Sequence, residues 1–330
     1  MRPECFSYLL LGVMMSMACS PQASSSGEGD EGDVYYSSGV HNDEGCDPPK
    51  TCIAERAPTD PSDPRYPDWW ISDWTMFRVF QNYQNAMPPY TNPPSTLAPG
   101  DYQVSYGTTY YDSSYTPKDH DGSGAMMEHY DKYCLPIFPI KNNYSCSFVS
   151  LGNKAYFLTY KEDRPKDMPA CCLFSPKNHP PAQDFIKHLP YSAEYSKRVS
   201  GSVQAYAKWV DSPNGKILFG YAFNKEASPD GYTSKPYRHP QSFYFSGYPV
   251  DPADPSKPFA PIVSQNYTSF RVQKPEAAQT WDLVEKMCPD KPVKCQLFNP
   301  PSTSQLSATE NKSQWNNLQP EKNSNQGGKQ

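Results

Sequence analysis

Two aromatic and β-branched runs, Tyr144 to Leu151 and Lys154 to Tyr160, are separated by only Gly152-Asn153. Glycine at the first central position of a two-residue loop suits a type II′ turn, whose twist matches that of paired strands. The stretch therefore predicts an antiparallel hairpin, and the rest of the chain has to supply a sheet for it. In the second run Ala155, Phe157 and Thr159 face one way, and Tyr156, Leu158 and Tyr160 face the other. Neither side is plainly polar, so the sheet is expected to be covered on both faces.

The cysteines constrain the fold next. Cys134, Cys146, Cys171 and Cys172 lie in and around the hairpin, and Cys46, Cys52, Cys288 and Cys295 lie further out. An apolar run from Phe6 to Ala18 behind Arg2 is too short to span a bilayer and reads as an export signal, residues 1–18. Small residues at Ser16 and Ala18 suit cleavage before Cys19, and the segment resembles a bacterial lipoprotein signal, in which that cysteine is lipidated. It departs from that box at Ser16, where leucine is usual, so lipidation and ordinary secretion both stay open. Export places the remaining cysteines in an oxidising compartment, which predicts disulfides rather than a metal knuckle. No Cys-x-x-Cys is present. Adjacent Cys171 and Cys172 point to opposite sides of an extended chain, which predicts two different partners. The pairing itself stays open among 105 possibilities.

Residues 19–45 are small, acidic and poor in apolar groups, and residues 300–330 are rich in Ser, Asn, Gln and Lys. Such compositions cannot bury enough surface to offset ordering, so both are expected to be disordered. The span 46–299 is left as a single β-rich domain. The full chain's 37 prolines beside 25 tyrosines favour a loop-rich β protein. With a net charge of -5 and basic residues scattered singly, no nucleic-acid footprint is expected.

Along the chain, Asp68 to Tyr83 holds three tryptophans. Helical and strand periodicities compete there, and the β-rich composition favours a packed entry strand over a sugar platform. Asp101 to Asp112 is a second strand with Gly107 at a bulge. Ala182 to Leu189 suits two helical turns between Pro181 and Pro190. Val203 to Val210 and Lys216 to Phe223 form a second hairpin around a turn at 211–215. Ser242 to Tyr248 and Ile262 to Val272 give two more strands. Ala277, Trp281, Val284 and Cys288 recur at helical spacing, which predicts a closing amphipathic helix that docks on the sheet.

Val203, Ala205, Ala207 and Trp209 share one side of their strand, and Ile217, Phe219, Tyr221 and Phe223 share one side of the next. Small alanines opposite large aromatics leave room for an apolar guest. Phe157, Val203, Ala205, Trp209, Phe219 and Phe223 are therefore the expected ligand-lining residues.

Catalytic signals are sparse. Gly-x-Ser-x-Gly, His-Glu-x-x-His and the phosphate-cradling Gly-rich loop do not occur, so no enzyme is expected. His179 and His188 flank Cys171 and Cys172 and read as loop histidines rather than partners of a nucleophilic thiol. Asp119 to Gly124 resembles part of a calcium loop, but Glu128 comes too early to complete it, and a solvated turn is the expectation. Glycosylation sequons at Asn143, Asn266 and Asn311 discriminate nothing in a chain so rich in Asn, Ser and Thr.

The order of features from Asp101 to Cys288 resembles the ependymin-related family and, more distantly, the lipid-carrying half-barrels of bacterial lipoprotein carriers. The resemblance is carried by Tyr110-Tyr111-Asp112, the cysteine between Tyr144 and Phe148, and Cys171-Cys172 before Phe174. Gly201 before Val203 to Trp209, Phe243 to Tyr248, and Tyr267 to Phe270 ahead of the closing helix complete it. It covers a little over half the chain, and the proline-rich insertions and tryptophan-rich leader depart from it. It implies a curved antiparallel sheet wrapped on a helix around an apolar pocket, with calcium sensitivity and no catalytic residue. Residues and resemblance together predict a mainly β, disulfide-stapled half-barrel with a C-terminal helix packed on it. The expected function is non-catalytic binding of an apolar or amphipathic, lipid-like molecule by a secreted or envelope-anchored protein, with a cell-surface protein or glycan module as the alternative.

Overall fold

The computed structural model describes residues 54–295 apart from 55, 80–87, 89–91, 94, 119, 135–142, 167, 200–202, 213–214, 229–235 and 248–261, and without the side chains of 199, 210–212, 215–217 and 247. The expected signal, tether and tail, with Cys19, Cys46 and Cys52, lie outside the described residues.

Among the described residues one antiparallel sheet of eleven strands organises the fold. The first six are β1 (Trp69–Val79), β2 (Tyr102–Asp112), β3 (Ala125–Tyr130), β4 (Cys146–Leu151), β5 (Lys154–Thr159) and β6 (Cys171–Ser175). The other five are β7 (Tyr191–Ser192), β8 (Val203–Ser212), β9 (Gly215–Asn224), β10 (Pro240–Gly247) and β11 (Ile262–Arg271). Their order is β6-β5-β4-β3-β2-β1-β11-β10-β9-β8-β7, two meanders joined where β1 pairs with β11. The tryptophan-rich leader is thus the central seam of the sheet. The hairpin at Gly152 forms as predicted: Leu151 pairs with Lys154, and Gly152 takes a φ of 55°.

One face of the sheet carries a single aromatic core. Trp70, Trp74 and Met76 of β1 join Tyr111, Tyr130, Phe148 and Phe157 from one meander and Phe219, Tyr221, Phe223, Phe243 and Phe245 from the other. Strands at opposite ends of the order share this cluster, so the sheet curls with this face inward. Two segments close over the inner face. Tyr66 sits within 5.0–5.7 Å of the rings of Phe185, Trp70, Tyr111 and Phe223. Its amide donates to the Gln183 carbonyl at 2.9 Å, and Ala54 N–H donates to the Lys187 carbonyl at 2.9 Å.

The outer face is covered in two patches. Helix α1 (Ala193–Val199) packs Tyr195 with Val203, Ala205, Ala207, Leu218, Ala222 and Tyr244. Helix α2 (Asp282–Met287), preceded by a 3-10 turn at Ala277–Gln279, packs Val284, with Trp281 at its start, against Ala125, Met127, Val149, Leu151, Tyr156 and Leu158. The closing helix therefore docks on the sheet as its periodicity predicts, but outside the curl rather than wrapped within it.

Three disulfides occur among the described residues: Cys134–Cys146, Cys171–Cys288 and Cys172–Cys295. Adjacent Cys171 and Cys172 do take separate partners, one on each side of β6. After α2 the chain adds to the β6 edge, where Leu173 donates to the Val293 carbonyl at 2.8 Å and Cys295 donates back to the Leu173 carbonyl at 2.9 Å. An exposed edge is thereby covered. These bonds fit an oxidising, extracellular setting, and no helix among the described residues is long and apolar enough to cross a membrane.

Three expectations are corrected. Gly107 is not at a bulge, because it stays in register with both Trp74 and Tyr130. Its missing side chain instead lets the Trp74 indole and the His129 carbonyl approach, since a Cβ there would lie 2.3 Å and 2.0 Å from them. The stretch from Ala182 to Leu189 forms only a 3-10 turn at Phe185–His188, and the helix comes later, at α1. The third correction is the register of the second hairpin. Ser212 pairs with Gly215, so Ala205 lies opposite Ala222 and Tyr206 opposite Tyr221. The predicted turn at 211–215 implies a register one residue different, and one residue moves every side chain to the other face.

Candidate functional site

The register decides where the predicted ligand residues go. Phe157, Phe219 and Phe223 line the inner face, whereas Val203 and Ala205 lie on the outer face beneath α1. Trp209 shares that outer side and is 39% exposed. The six residues do not form one site, and the pairing of small alanines with large aromatics does not occur.

What the curl does bring together is a polar row inside an aromatic wall. Ser72, Thr109 and Glu128 lie side by side across β1, β2 and β3, pointing inward in register with the core tryptophans. Trp74 lies opposite Gly107 on one side and Tyr267 on the other, and Gln265 enters one pair further along, opposite Met76. Glu128 is 7% exposed, Gln265 1%, and Trp70 and Trp74 at most 1%. The Tyr130 hydroxyl donates to Glu128 Oε2 at 3.2 Å. Trp74 meets the Tyr130 ring edge-on at 5.1 Å, and Trp70 meets Tyr267 at 5.8 Å.

Burial pushes the Glu128 carboxyl up to about 7, against the smaller opposing pull of Tyr130 and Gln265. Desolvation disfavours the charged form, and among the described residues acting on Glu128 none is cationic. The hydroxyls of Tyr130, Tyr221 and Tyr267 are also raised, first by burial and then by the Glu128 carboxylate.

Several inward polar atoms lack a protein hydrogen bond: Trp70 Nε1, Trp74 Nε1, Ser105 Oγ, Gln103 Oε1 and both side-chain heteroatoms of Gln265. Gln265 is close enough to act on Glu128 but makes no hydrogen bond of normal geometry. Each such group costs on the order of 1–3 kcal/mol when buried unsatisfied. These five residues share the inner face, while other buried side-chain atoms without a protein hydrogen bond among the described residues, such as Trp281 Nε1, Ser242 Oγ and the Asn266 amide, lie elsewhere.

Among the described residues serine, histidine and aspartate come together on the outer face. His129 Nδ1 and Ser147 Oγ are 2.9 Å apart, and His129 Nε2 lies 3.6 Å from Asp131 Oδ1. Ser147 is completely buried and shares its hydroxyl with Tyr160 at 2.6 Å. Ser147 is thus held beneath the partly exposed His129 in a hydrogen-bond network with Tyr160, and Asp131 lies on the surface beside it. His179 and His188 have no thiol to activate, because Cys171 and Cys172 are both in disulfides. In the calcium-like loop Asp119 lies outside the described residues, and Asp121 accepts a 3.4 Å hydrogen bond from Asn153. His120 Nε2 is 2.7 Å from the Tyr156 hydroxyl. No group of three metal-ligating side chains occurs among the described residues. Of the sequons, Asn266 is 5% exposed on β11, while Asn143 is exposed.

The sequence singles out Glu128 only as a misplaced calcium ligand and passes over β3 as a strand. The available signal is the alternation Met126, Glu128, Tyr130, which puts a carboxylate on an otherwise apolar stripe. No family model matches the chain, and no curated protein matches it either.

Proposed function

We propose that the chain is an exported, non-catalytic binding protein for an amphipathic small molecule, held on the inner face of the curled sheet. The polar part of the ligand meets Glu128, Gln265 and the indole N–H groups, and its apolar part lies along the aromatic wall. The observation that carries this reading is the group of buried, inward polar atoms without protein partners on a face otherwise built of rings. A few convergent polar groups in an apolar enclosure are the usual make-up of a small-molecule site. The segments bearing Tyr66 and Phe185 lie over the site and would have to part for entry.

The resemblance to ependymin-related proteins and lipoprotein carriers supports the same ligand class. Disulfides and the N-terminal apolar run support secretion, with lipid on Cys19 in a bacterial host as the anchored form. The alternative, a surface module for proteins or glycans, would draw on exposed Tyr106 and Trp209. They stand on β2 and β8, five places apart in the strand order, and offer no common patch. Solvent extraction of the purified, folded protein followed by mass spectrometry tests the proposal. It predicts a near-stoichiometric amphiphile, or uptake of a dansyl-labelled alkyl alcohol by protein stripped of it. Neither an extracted molecule nor probe uptake would overturn the reading.

A further inference from the structure

We infer that the ligand carries a cationic head, a quaternary or protonated amine, which docks on Glu128 within the rings of Trp74, Tyr130, Tyr221 and Tyr267. This rests on the inner-face reading above and adds the chemical class. A buried carboxylate is stable only when it is neutral or faces a positive charge. The described residues supply Glu128 with a tyrosine hydroxyl and a nearby amide but no arginine, lysine or histidine. The inward-facing Arg78 is not its partner. It lies in register with Gln103 and Val263, whereas Glu128 belongs to the row of Ser72 and Thr109. Six residues of extended strand separate the two rows, roughly 20 Å.

The surrounding groups fit a cation and disfavour an anion. Among the described residues, Tyr130 of β3, Tyr221 of β9, Tyr267 of β11 and Tyr66 of the covering segment are the titratable groups that interact with Glu128. Burial holds all four in the neutral form, so among these described groups Glu128 is the one that can carry charge. The faces of Trp and Tyr rings attract ammonium groups, more strongly where water is excluded. A carboxylate or phosphate head would meet those same faces and a second carboxylate, with no counter-charge.

Three fluorescent probes with one dodecyl tail and different heads, trimethylammonium, alcohol and carboxylate, test the inference on the full folded chain. At about pH 8 the ammonium probe is expected to bind about tenfold or more tighter than the alcohol. As pH falls to about 5, Glu128 takes up a proton, and that advantage should disappear while alcohol binding stays constant. Glu128→Gln should abolish the preference for ammonium over alcohol at all pH values. The head-group and pH comparisons need no variant, so they decide the matter even if Glu128→Gln misfolds. Equal binding of ammonium and alcohol, tightest binding of the carboxylate, or an unchanged preference in Glu128→Gln would overturn the cationic head and leave the inner-face site standing. Failure of all three probes would overturn the site itself, and the cationic head with it.

Discussion

The two disulfides on β6 should behave as one long clamp and one short one. Cys171–Cys288 and Cys172–Cys295 span 117 and 123 residues, with their ends nearly coincident. In the chain-entropy description, closing the first such loop restrains the unfolded chain by about 5 kcal/mol. Once either bond is made, the other closes only the small ring from 171 to 172 and from 288 to 295. A ring of about eight residues contributes about 2.5 kcal/mol on the same relation. Cys171→Ala with Cys288→Ala should therefore cost about 2.5 kcal/mol, as should Cys172→Ala with Cys295→Ala, and removal of all four about 7 kcal/mol. Equilibrium urea unfolding of the three variants under non-reducing conditions measures this. If the fourfold variant loses no more than the sum of the two double variants, or either double variant alone loses about 5 kcal/mol, the nested-loop reasoning is wrong.

Gly107→Ala drives a Cβ to 2.0 Å from the His129 carbonyl oxygen, which the β2–β3 ladder holds in place. The loss in thermal unfolding should reach or exceed the upper end of about 1–3 kcal/mol for overpacking, and a cost below about 1 kcal/mol would contradict this account of the contact. Ala205→Leu overpacks the space beneath α1 and should cost about 1–3 kcal/mol without altering uptake of an alkyl probe. Reduced uptake in the folded variant would return Ala205 to the ligand site. Glu128 gives a pH signature. Its carboxyl is raised by burial from 4.5 to about 7, so the stability it contributes is complete below 4.5 and is lost as pH rises through 7. The amount is on the order of 3 kcal/mol. Ligand-free wild type should therefore lose stability relative to Glu128→Gln between about pH 5 and pH 8 in chemical denaturation. A difference independent of pH would mean that Glu128 is solvated.

The fold was legible wherever turn chemistry and side-chain alternation agreed. Gly152 fixes the first hairpin because a residue with positive φ is required there. Trp70, Trp74 and Met76 lie an even number of residues apart and form the inward side of β1 together with Ser72, and it was the β-rich composition that favoured a strand there. Helix α2 could be read because Trp281 and Val284 have a sheet beneath them. The second hairpin was harder, since its register depends on whether Asp211 and Ser212 belong to the loop or to the strand. Both are ordinary turn residues, and nothing local distinguishes the two registers. That single residue carried Ala205 and Val203 away from the aromatic face. Glu128 was obscure for another reason: one charged residue in a short Met-rich run looks like a strand end until its neighbours on β2 and β11 are known. The polar row exists only through pairing of strands distant in sequence.

The position of a bound amphiphile is the most direct test of the inner-face site. An alkyl alcohol bearing a diazirine near its head, photolysed on the folded protein and followed by peptide mapping, reports that position. Adducts should concentrate on the β1, β3 and β11 peptides that carry Trp74, Glu128 and Tyr267, and should vanish when excess unlabelled alcohol competes. Adducts confined to Val203, Trp209 or the α1 peptide would place the ligand on the outer face and contradict the inner-face site.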